Sequence, residues 1–251
     1  MSLLLRGIIV VTGLFLLWQL LVSIFQIPAY ILPTPIEVFH TWYERLGTIL
    51  NETYFTVTET ILGLVLGIIF GCFAAIIMTY FKPLSWWMLP ILIISQALPT
   101  FAIAPLLVLW FGYGMASKIV TTLLMIFFPI TSSFYDGLSR TNTDWLDLAK
   151  TMNAKKWRIF TVIRIPAALP SLASGIRVAT VAAPLGAIVG EWVGASKGLG
   201  FLMLNANARL QIDLMFAALL TLIVFSLILY FIVNKILKLL IPWGPMVYSA
   251  K

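Results

Sequence analysis

Six long apolar stretches occupy most of this chain, and each is close to the length that a helix needs to cross a bilayer. A transmembrane helix needs about 20 residues, because it rises about 1.5 Å per residue across a core of about 30 Å. The stretches cover residues 5–25, 55–80, 88–110, 117–136, 171–192 and 213–240. The chain is 61% hydrophobic and only 10% charged, so it has more apolar surface than a water-soluble fold can bury. We expect an all-α integral membrane protein with six transmembrane helices in a single domain, residues 1–251.

The first stretch has one alternative interpretation, a secretory signal peptide, because Arg6 precedes its apolar core. A signal peptide has a shorter apolar core, and the residues after Phe25 offer no small-x-small cleavage motif. We therefore interpret it as a retained span.

The distribution of basic residues predicts the orientation. Six crossings place both termini on one side, and cytoplasmic loops carry the excess of Lys and Arg. If that side is the cytoplasm, it receives twelve basic residues: Arg6, Lys82, Arg140, Lys150, Lys155, Lys156, Arg158, Arg164, Arg177, Lys235, Lys238 and Lys251. The outside receives four: Arg45, Lys118, Lys197 and Arg209. Both termini are therefore expected in the cytoplasm.

The sequence lacks the residues that several other functions would require. The +7 charge lies between apolar spans without interleaved aromatic residues, so we expect no nucleic-acid partner. Cys72 is the only cysteine and His40 the only histidine, which predicts no metal site. No phosphate-binding loop or hydrolase motif occurs. A membrane enzyme or a secondary transporter with internal repeats remains the alternative of a different class, without visible support.

Small residues recur at every fourth position of the second stretch, at Gly63, Gly67, Gly71 and Ala75. This spacing puts them on one helix face and predicts close helix packing. Helix-breaking residues interrupt the third stretch at Pro90, Pro99 and Pro105 and the fifth at Pro184, Gly186 and Gly190. Broken helices favour a cavity-lining position, although kinks that only shape the packing are equally compatible.

A polar segment of residues 137–170 separates the fourth and fifth stretches and is long for a simple connection. Its pattern predicts a helix from about Trp145 to Met152, a break at Asn153 and a second helix to Ile165. Pro166 and Pro170 are expected to mark the entry to the fifth span.

The segment resembles the cytoplasmic signature of permease subunits of binding-protein-dependent ABC importers: E-A-A, three residues, G, nine residues, I-x-L-P. Asp147-Leu148-Ala149 occupies the E-A-A positions, Asn153 the glycine, and Ile163 to Pro166 the closing motif. Asparagine enters the left-handed conformation at less cost than most residues, so it is a tolerable substitute for that glycine.

The resemblance implies the transmembrane domain of a type I ABC importer, with a coupling helix that docks into a groove on an ATPase subunit. Its residues are Trp145, Leu146, Asp147, Leu148, Ala149, Met152, Asn153, Ala154, Ile163 and Pro166. By charge alone, the segment could instead lie on anionic lipid through its basic residues Lys155, Lys156, Arg158 and Arg164.

The family also implies the partners. They are cytoplasmic ATPase subunits that bind ATP and Mg, an extracytoplasmic solute-binding protein, and a second permease subunit, either an identical copy or a close relative. The chain is then a non-enzymatic transport subunit of the bacterial cytoplasmic membrane, with no cofactor of its own.

Further segments resemble one branch of this family, whose members import nitrate, sulfonates, thiamine precursors or riboflavin. They are residues 31–38, 95–99, 104–106, 110–114, 190–192 and 198–200. The branch implies a thiamine pyrimidine precursor as the first candidate solute, riboflavin as the second, and a sulfonate, taurine or nitrate as the third.

Polar side chains at membrane depth are candidates for the solute pathway, because they are costly there. Gln96, beside Pro99, could hydrogen-bond a pyrimidine-like solute or satisfy a neighbouring broken helix. Glu59 could line the pathway or reach the interface. Glu191 could line an outer gate or have a structural role by pairing with Lys197 and Arg209.

Overall fold

The computed structural model describes residues 3–243, which are helical except for short connections. The predicted cytoplasmic Lys251 lies outside this range. The helices are α1 Leu3–Phe25, α2 Pro35–Glu44, α3 Leu46–Tyr80, α4 Lys82–Ala97, α5 Thr100–Phe111, α6 Met115–Ser139, α7 Thr143–Thr151, α8 Lys156–Gly194, α9 Leu199–Ala208 and α10 Ile212–Leu240.

Four of these helices, α3, α6, α8 and α10, are long and apolar enough to cross a membrane. The pair α4 and α5 passes the same test together but is bent by 102°, so that the described residues contain up to five candidate spans. The apolar part of α1, Ile9–Phe25, is shorter than the 18 residues of that test. An all-helical, multi-pass membrane protein is confirmed, with four or five of the six predicted spans.

The stripe of small residues on α3 packs against α6. A Cβ atom added to Gly63 or Gly67 would lie within 2.6 Å of the side chains of Thr122 and Ile126, respectively. The register between the two helices is constant, since 122 − 63 and 126 − 67 both give 59. Gly71 continues it against Ile130. The two helices therefore run in the same direction, and α4 with α5 must return the chain across the membrane between them.

The bend between α4 and α5 lies at Leu98 and Pro99. Leu98 is extended, with ψ 121°, because the ring of a following proline disfavours the helical conformation. Pro90 and Pro105 lie inside α4 and α5 and end neither helix. The predicted third span is thus broken once, at Pro99, instead of three times.

The predicted interruption of the fifth span at Pro184, Gly186 and Gly190 is wrong, because α8 continues through all three residues. The two glycines serve packing. A Cβ atom on Gly186 or Gly190 would lie within 2.9 Å of the α-carbon of Thr122 or Lys118 on α6. Close approach of the two backbones requires glycine at these positions.

The predicted second cytoplasmic helix ending at Ile165 is also wrong, since α8 starts at Lys156 and runs on through Pro166 and Pro170. Residues Ile159–Arg164 form a π-helical stretch. The wider turn accommodates the ring and the missing N–H of Pro166, which would otherwise disrupt a regular α-helix. Local widening therefore replaces the expected break.

The helices define two ends of the molecule. The inner end carries α7 and the start of α8, and by its basic residues it is the end expected in the cytoplasm. Trp243, after α10, donates a hydrogen bond from Nε1 to the Pro166 carbonyl oxygen there (3.3 Å). The outer end carries α2 and α9. There Thr41 of α2 donates a hydrogen bond to Asp213 of α10 (2.6 Å).

Candidate functional site

At the inner end, α7 is a short helix with defined caps. The Asn142 side chain accepts a hydrogen bond from the Asp144 backbone N–H (2.8 Å) at its start. After its end, Asn153 has φ 58°, the left-handed conformation expected from its place in the signature. The Ala154 N–H donates to the Ala149 carbonyl oxygen (3.0 Å), which closes the turn.

The apolar side chains of α7 are largely exposed. Trp145 is 54% exposed, Leu148 62% and Met152 75%, whereas Ala149 is buried against the rest of the chain. Leu146 is half-buried. A soluble surface rarely exposes a cluster of this kind unless a partner covers it.

An apolar groove of about 450 Å³ lies between α7 and the first turns of α8. Its lining includes the predicted coupling residues Trp145, Leu148, Ala149, Met152, Ile163 and Pro166. A neighbouring cavity of about 610 Å³ adds Asn153 and Ala154. Asp147 lines neither cavity and forms an exposed ion pair with Lys150 (2.7 Å). Eight of the ten predicted coupling residues thus line adjoining cavities.

The outer end holds a buried ion pair that the sequence interpretation missed. Lys118 Nζ of α6 lies 2.9 Å from Glu59 Oε1 of α3, with both side chains at most 6% exposed. The expectation that Glu59 could reach the interface is therefore wrong. A buried charge requires a partner of opposite sign, because desolvation of an unpaired ion is costly.

Three successive backbone N–H groups at the start of α9 are bound by side chains of the outer end. Gly198 donates to Glu52, Leu199 to Thr56 and Gly200 to Glu191. The Thr56 hydroxyl in turn donates to Glu191 Oε1 (2.6 Å). These acceptors satisfy amides that have no partner inside the helix and interact favourably with the helix dipole.

The predicted partners of Glu191 are wrong in detail. Among the described residues it forms no ion pair with Lys197 or Arg209, and its carboxylate binds Thr56 and Gly200. Lys197 instead places its ammonium group 4.7 Å from the ring centroid of Phe55. Glu191 is 1% exposed because α9 folds over it.

One signal in the sequence points to the missed pair. Glu59 and Lys118 each lie one helical turn before residues that pack together, Gly63 and Thr122, so that they share the offset of 59 residues. Two opposite charges at the same end of two apolar spans indicate a salt bridge. Without the helix register, however, sequence alone does not show that these spans are neighbours.

The remaining predicted pathway residues lie apart from any polar network. Gln96 is exposed near the end of α4, and no described residue hydrogen-bonds to its side chain. Pro99 caps the start of α5 beside it. In residues 3–243, no group of three His, Cys, Asp or Glu side chains could hold a metal ion.

Residues 63–243 match the family described as binding-protein-dependent transport system inner membrane component. The chain belongs to this family. It is therefore an ABC transporter permease subunit and not itself an enzyme, and membership implies an ATPase and a binding protein as partners.

Relatives of this permease extend over nearly its whole length. A Haemophilus influenzae protein described as a probable ABC transporter permease protein is 51% identical over 93% of this chain and 96% of its own. The formylaminopyrimidine transport permease ThiX of Halalkalibacterium halodurans is 34% identical over 92% of each chain. The riboflavin permease RibX of Chloroflexus aurantiacus is 32% identical over 92% of this chain and 87% of its own.

The fold is also found in a solved structure, an inward-facing form of the MetNI methionine ABC transporter. The match has a TM-score of 0.59 and covers 79% of this chain and 97% of that chain. At 17% identity it shows a shared fold and nothing about the solute.

Proposed function

We propose that this permease is one of two pore subunits of an importer for a thiamine pyrimidine precursor in the bacterial cytoplasmic membrane. An external binding protein delivers the solute, and ATPase subunits that bind ATP and Mg drive transport through α7. Both termini lie in the cytoplasm.

A sixth span completes this topology, and α1 supplies it. With 23 residues, α1 is about 34 Å long, enough for a typical hydrocarbon core. Its later part packs at the outer end, where the rings of Trp18 and Phe216 and those of Phe15 and Phe39 are tilted against each other with centroids 5.5 Å apart.

The coupling role of α7 rests on one observation: Trp145, Leu148 and Met152 are exposed along an apolar groove at the basic end of the chain. An amphipathic helix of this kind can fill a groove on a partner and transmit its movement as a rigid body. Lipid binding would require the apolar face to be buried in the membrane beside the basic residues. The groove, which continues from α7 onto α8, favours a protein partner.

The test of this coupling role is the double substitution Leu148→Asp and Met152→Asp. It should leave the permease in the membrane at normal yield but abolish its co-purification with the ATPase. The matched control is Ile36→Asp, which changes a side chain that is 73% exposed at the outer end and should leave co-purification unchanged. Normal ATPase recovery with the double variant would refute the docking role.

The choice of solute rests on the relatives. The formylaminopyrimidine permease is 34% identical to this chain, whereas the aliphatic sulfonate permease SsuC of Bacillus subtilis is 26% identical and the taurine permease TauC of Escherichia coli 25%. Riboflavin is the second candidate, through the relative at 32%. Formylaminopyrimidine should raise the thermal unfolding midpoint of the cognate binding protein. A response to taurine alone would overturn the vitamin assignment.

Gln96 and Pro99 remain candidates for the solute pathway. The break at Pro99 leaves the Gln96 amide exposed without a described hydrogen-bond partner, so it is available to a solute or to the second subunit. Glu59 and Glu191 are assigned instead to positioning, because their carboxylates are buried and bound by other residues of the chain.

A further inference from the structure

A cavity of about 480 Å³ opens at the outer end between α8, α9 and Tyr113 in the connection from α5 to α6. Three aromatic rings line it, those of Tyr113, Trp192 and Phe201. Its volume falls within the range of about 300–1,000 Å³ that is usual for sites of small molecules. None of the functions assigned above uses this cavity.

The aromatic rings of the cavity are accessible to a ligand. Tyr113 is 79% exposed and Trp192 48% exposed, and Phe201 is half-buried. Flat aromatic faces bind planar heterocycles by stacking, which depends little on the identity of the ring. A cavity of this composition therefore suits a heteroaromatic solute better than an aliphatic one.

The side-chain amide of Asn205 gives the cavity one oriented hydrogen-bond acceptor. Asn205 donates from Nδ2 to the Phe201 carbonyl oxygen (3.1 Å), which fixes the orientation of the side chain. Its Oδ1 accepts no hydrogen bond from the described residues and is available to an amino group on a ring.

The charge of the lining excludes one class of solute. The cavity has no Lys or Arg in its lining, and its one ionisable carboxyl group, that of Glu191, is bound by Thr56 and Gly200. A sulfonate or nitrate would lose water there without gaining a cationic partner, which is costly. A neutral ring carries no such penalty, and the desolvation of a cationic ring is offset by contact with the aromatic faces of the cavity.

The wall of the cavity is fixed before a solute arrives. Helix α9, which contributes Phe201 and Asn205, is held at its start by Glu52, Thr56 and Glu191. Preorganisation of this kind lowers the entropy lost on binding.

The cavity also opens onto an exposed stripe of the central helix. Of the four long spans α8 is the most buried, yet Val178, Val181, Leu185 and Trp192 on one of its faces are about half exposed. Their spacing of three, four and seven residues forms a continuous line that ends at the cavity.

We infer that this cavity is an outer vestibule site of the permease for a neutral or cationic heteroaromatic amine, in which the ring stacks on Trp192 and Tyr113 and the amine donates to Asn205. The inference rests on the proposed import function and adds the place where the permease first holds the solute.

The experiment is uptake into proteoliposomes that contain the complete transporter, with loaded binding protein outside and formylaminopyrimidine, riboflavin and taurine as probes. Trp192→Ala and Asn205→Ala should each lower uptake of the aminopyrimidine about tenfold. ATP hydrolysis stimulated by the loaded binding protein should stay within about twofold, since ATPase docking is unchanged.

Two control variants separate ring stacking from folding. Trp192→Phe keeps an aromatic face and should retain most of the uptake. Trp110→Ala removes an exposed tryptophan, 68% accessible, that does not line the cavity, and it should have little effect.

The possible outcomes distinguish the site from the proposed solute. Normal aminopyrimidine uptake with both alanine variants would overturn the vestibule site and leave the proposed function standing. Uptake of riboflavin alone, lowered by Trp192→Ala, would overturn the proposed solute and support the site. Uptake of taurine by the wild type would overturn both the vestibule site and the proposed solute. An equal loss of uptake and ATP hydrolysis in Trp192→Ala would show that Trp192 has only a structural role, and it would overturn the vestibule site.

Discussion

At the outer end of this permease, Glu59, Lys118, Thr56 and Glu191 are buried and bind one another or the backbone of α9. At the inner end, Trp145, Leu148 and Met152 of α7 are exposed and apolar. The outer end is thus stabilised by contacts within the chain, whereas the inner end presents a surface that another protein would complete. Internal closure at one end and an exposed apolar face at the other fit the roles proposed above, a solute pathway at the outer end and ATPase docking at the inner end.

The largest expected effect on stability comes from a substitution in the buried ion pair of the outer end. Lys118→Met leaves the Glu59 carboxylate buried without its partner and should lower the free energy of unfolding by about 3–5 kcal/mol. Thermal unfolding in detergent measures it. The double variant Glu59→Gln with Lys118→Met should recover part of the loss, because the Glu59 carboxylate that Lys118 neutralised is then removed as well.

An inner-end pair is the control for this prediction. Lys150→Ala removes the ion pair with Asp147, in which both side chains are 68% exposed, and should cost less than about 1 kcal/mol. Equal losses from Lys118→Met and Lys150→Ala would contradict the contrast between the two ends.

A smaller effect is expected between the ends, where α3 packs on α6. Gly67→Ala places a Cβ atom 2.6 Å from Ile126 Cδ1 and should destabilise the fold by about 1–3 kcal/mol through overpacking. Gly47→Ala, on the same helix with no atom within 4 Å, should be neutral or slightly stabilising. Thermal unfolding of both variants tests this, and identical midpoints would show that the glycine stripe does not set the helix distance.

The smallest effect concerns the turn after α7. Asn153 has φ 58°, which costs a β-branched side chain about 1–2 kcal/mol and glycine nothing. Asn153→Val should therefore lower ATPase recovery in co-purification about tenfold, while Asn153→Gly should stay close to the wild type. A loss with Asn153→Gly would instead assign a required contact to the Asn side chain.

Features that depend on local sequence could be predicted. The apolar stretches that became α3, α6, α8 and α10, the packing stripe at Gly63 and Gly67, and the left-handed Asn153 all follow from composition, spacing or one residue's conformational preference. The break at Pro99 was anticipated as one of several.

Features that depend on the partner helix could not be predicted. The passage of α8 through Pro166 requires a π-helical stretch that no residue type specifies. Gly186 and Gly190 were interpreted as breaks, because their contacts with α6 lie far away in sequence. The pairing of Glu59 with Lys118 needs the register of two helices that sequence alone does not align.

The central claim, that the inner end receives the ATPase and the outer end does not, can be measured directly. Cys72 is the only cysteine, so a Cys72→Ser background allows a single cysteine at Leu148→Cys or at Ile36→Cys, both exposed positions. Maleimide labelling is then followed in detergent with and without the ATPase subunits. The ATPase should slow labelling at position 148 by at least about tenfold and leave position 36 unchanged. Equal labelling of position 148 in both conditions would contradict the docking of α7.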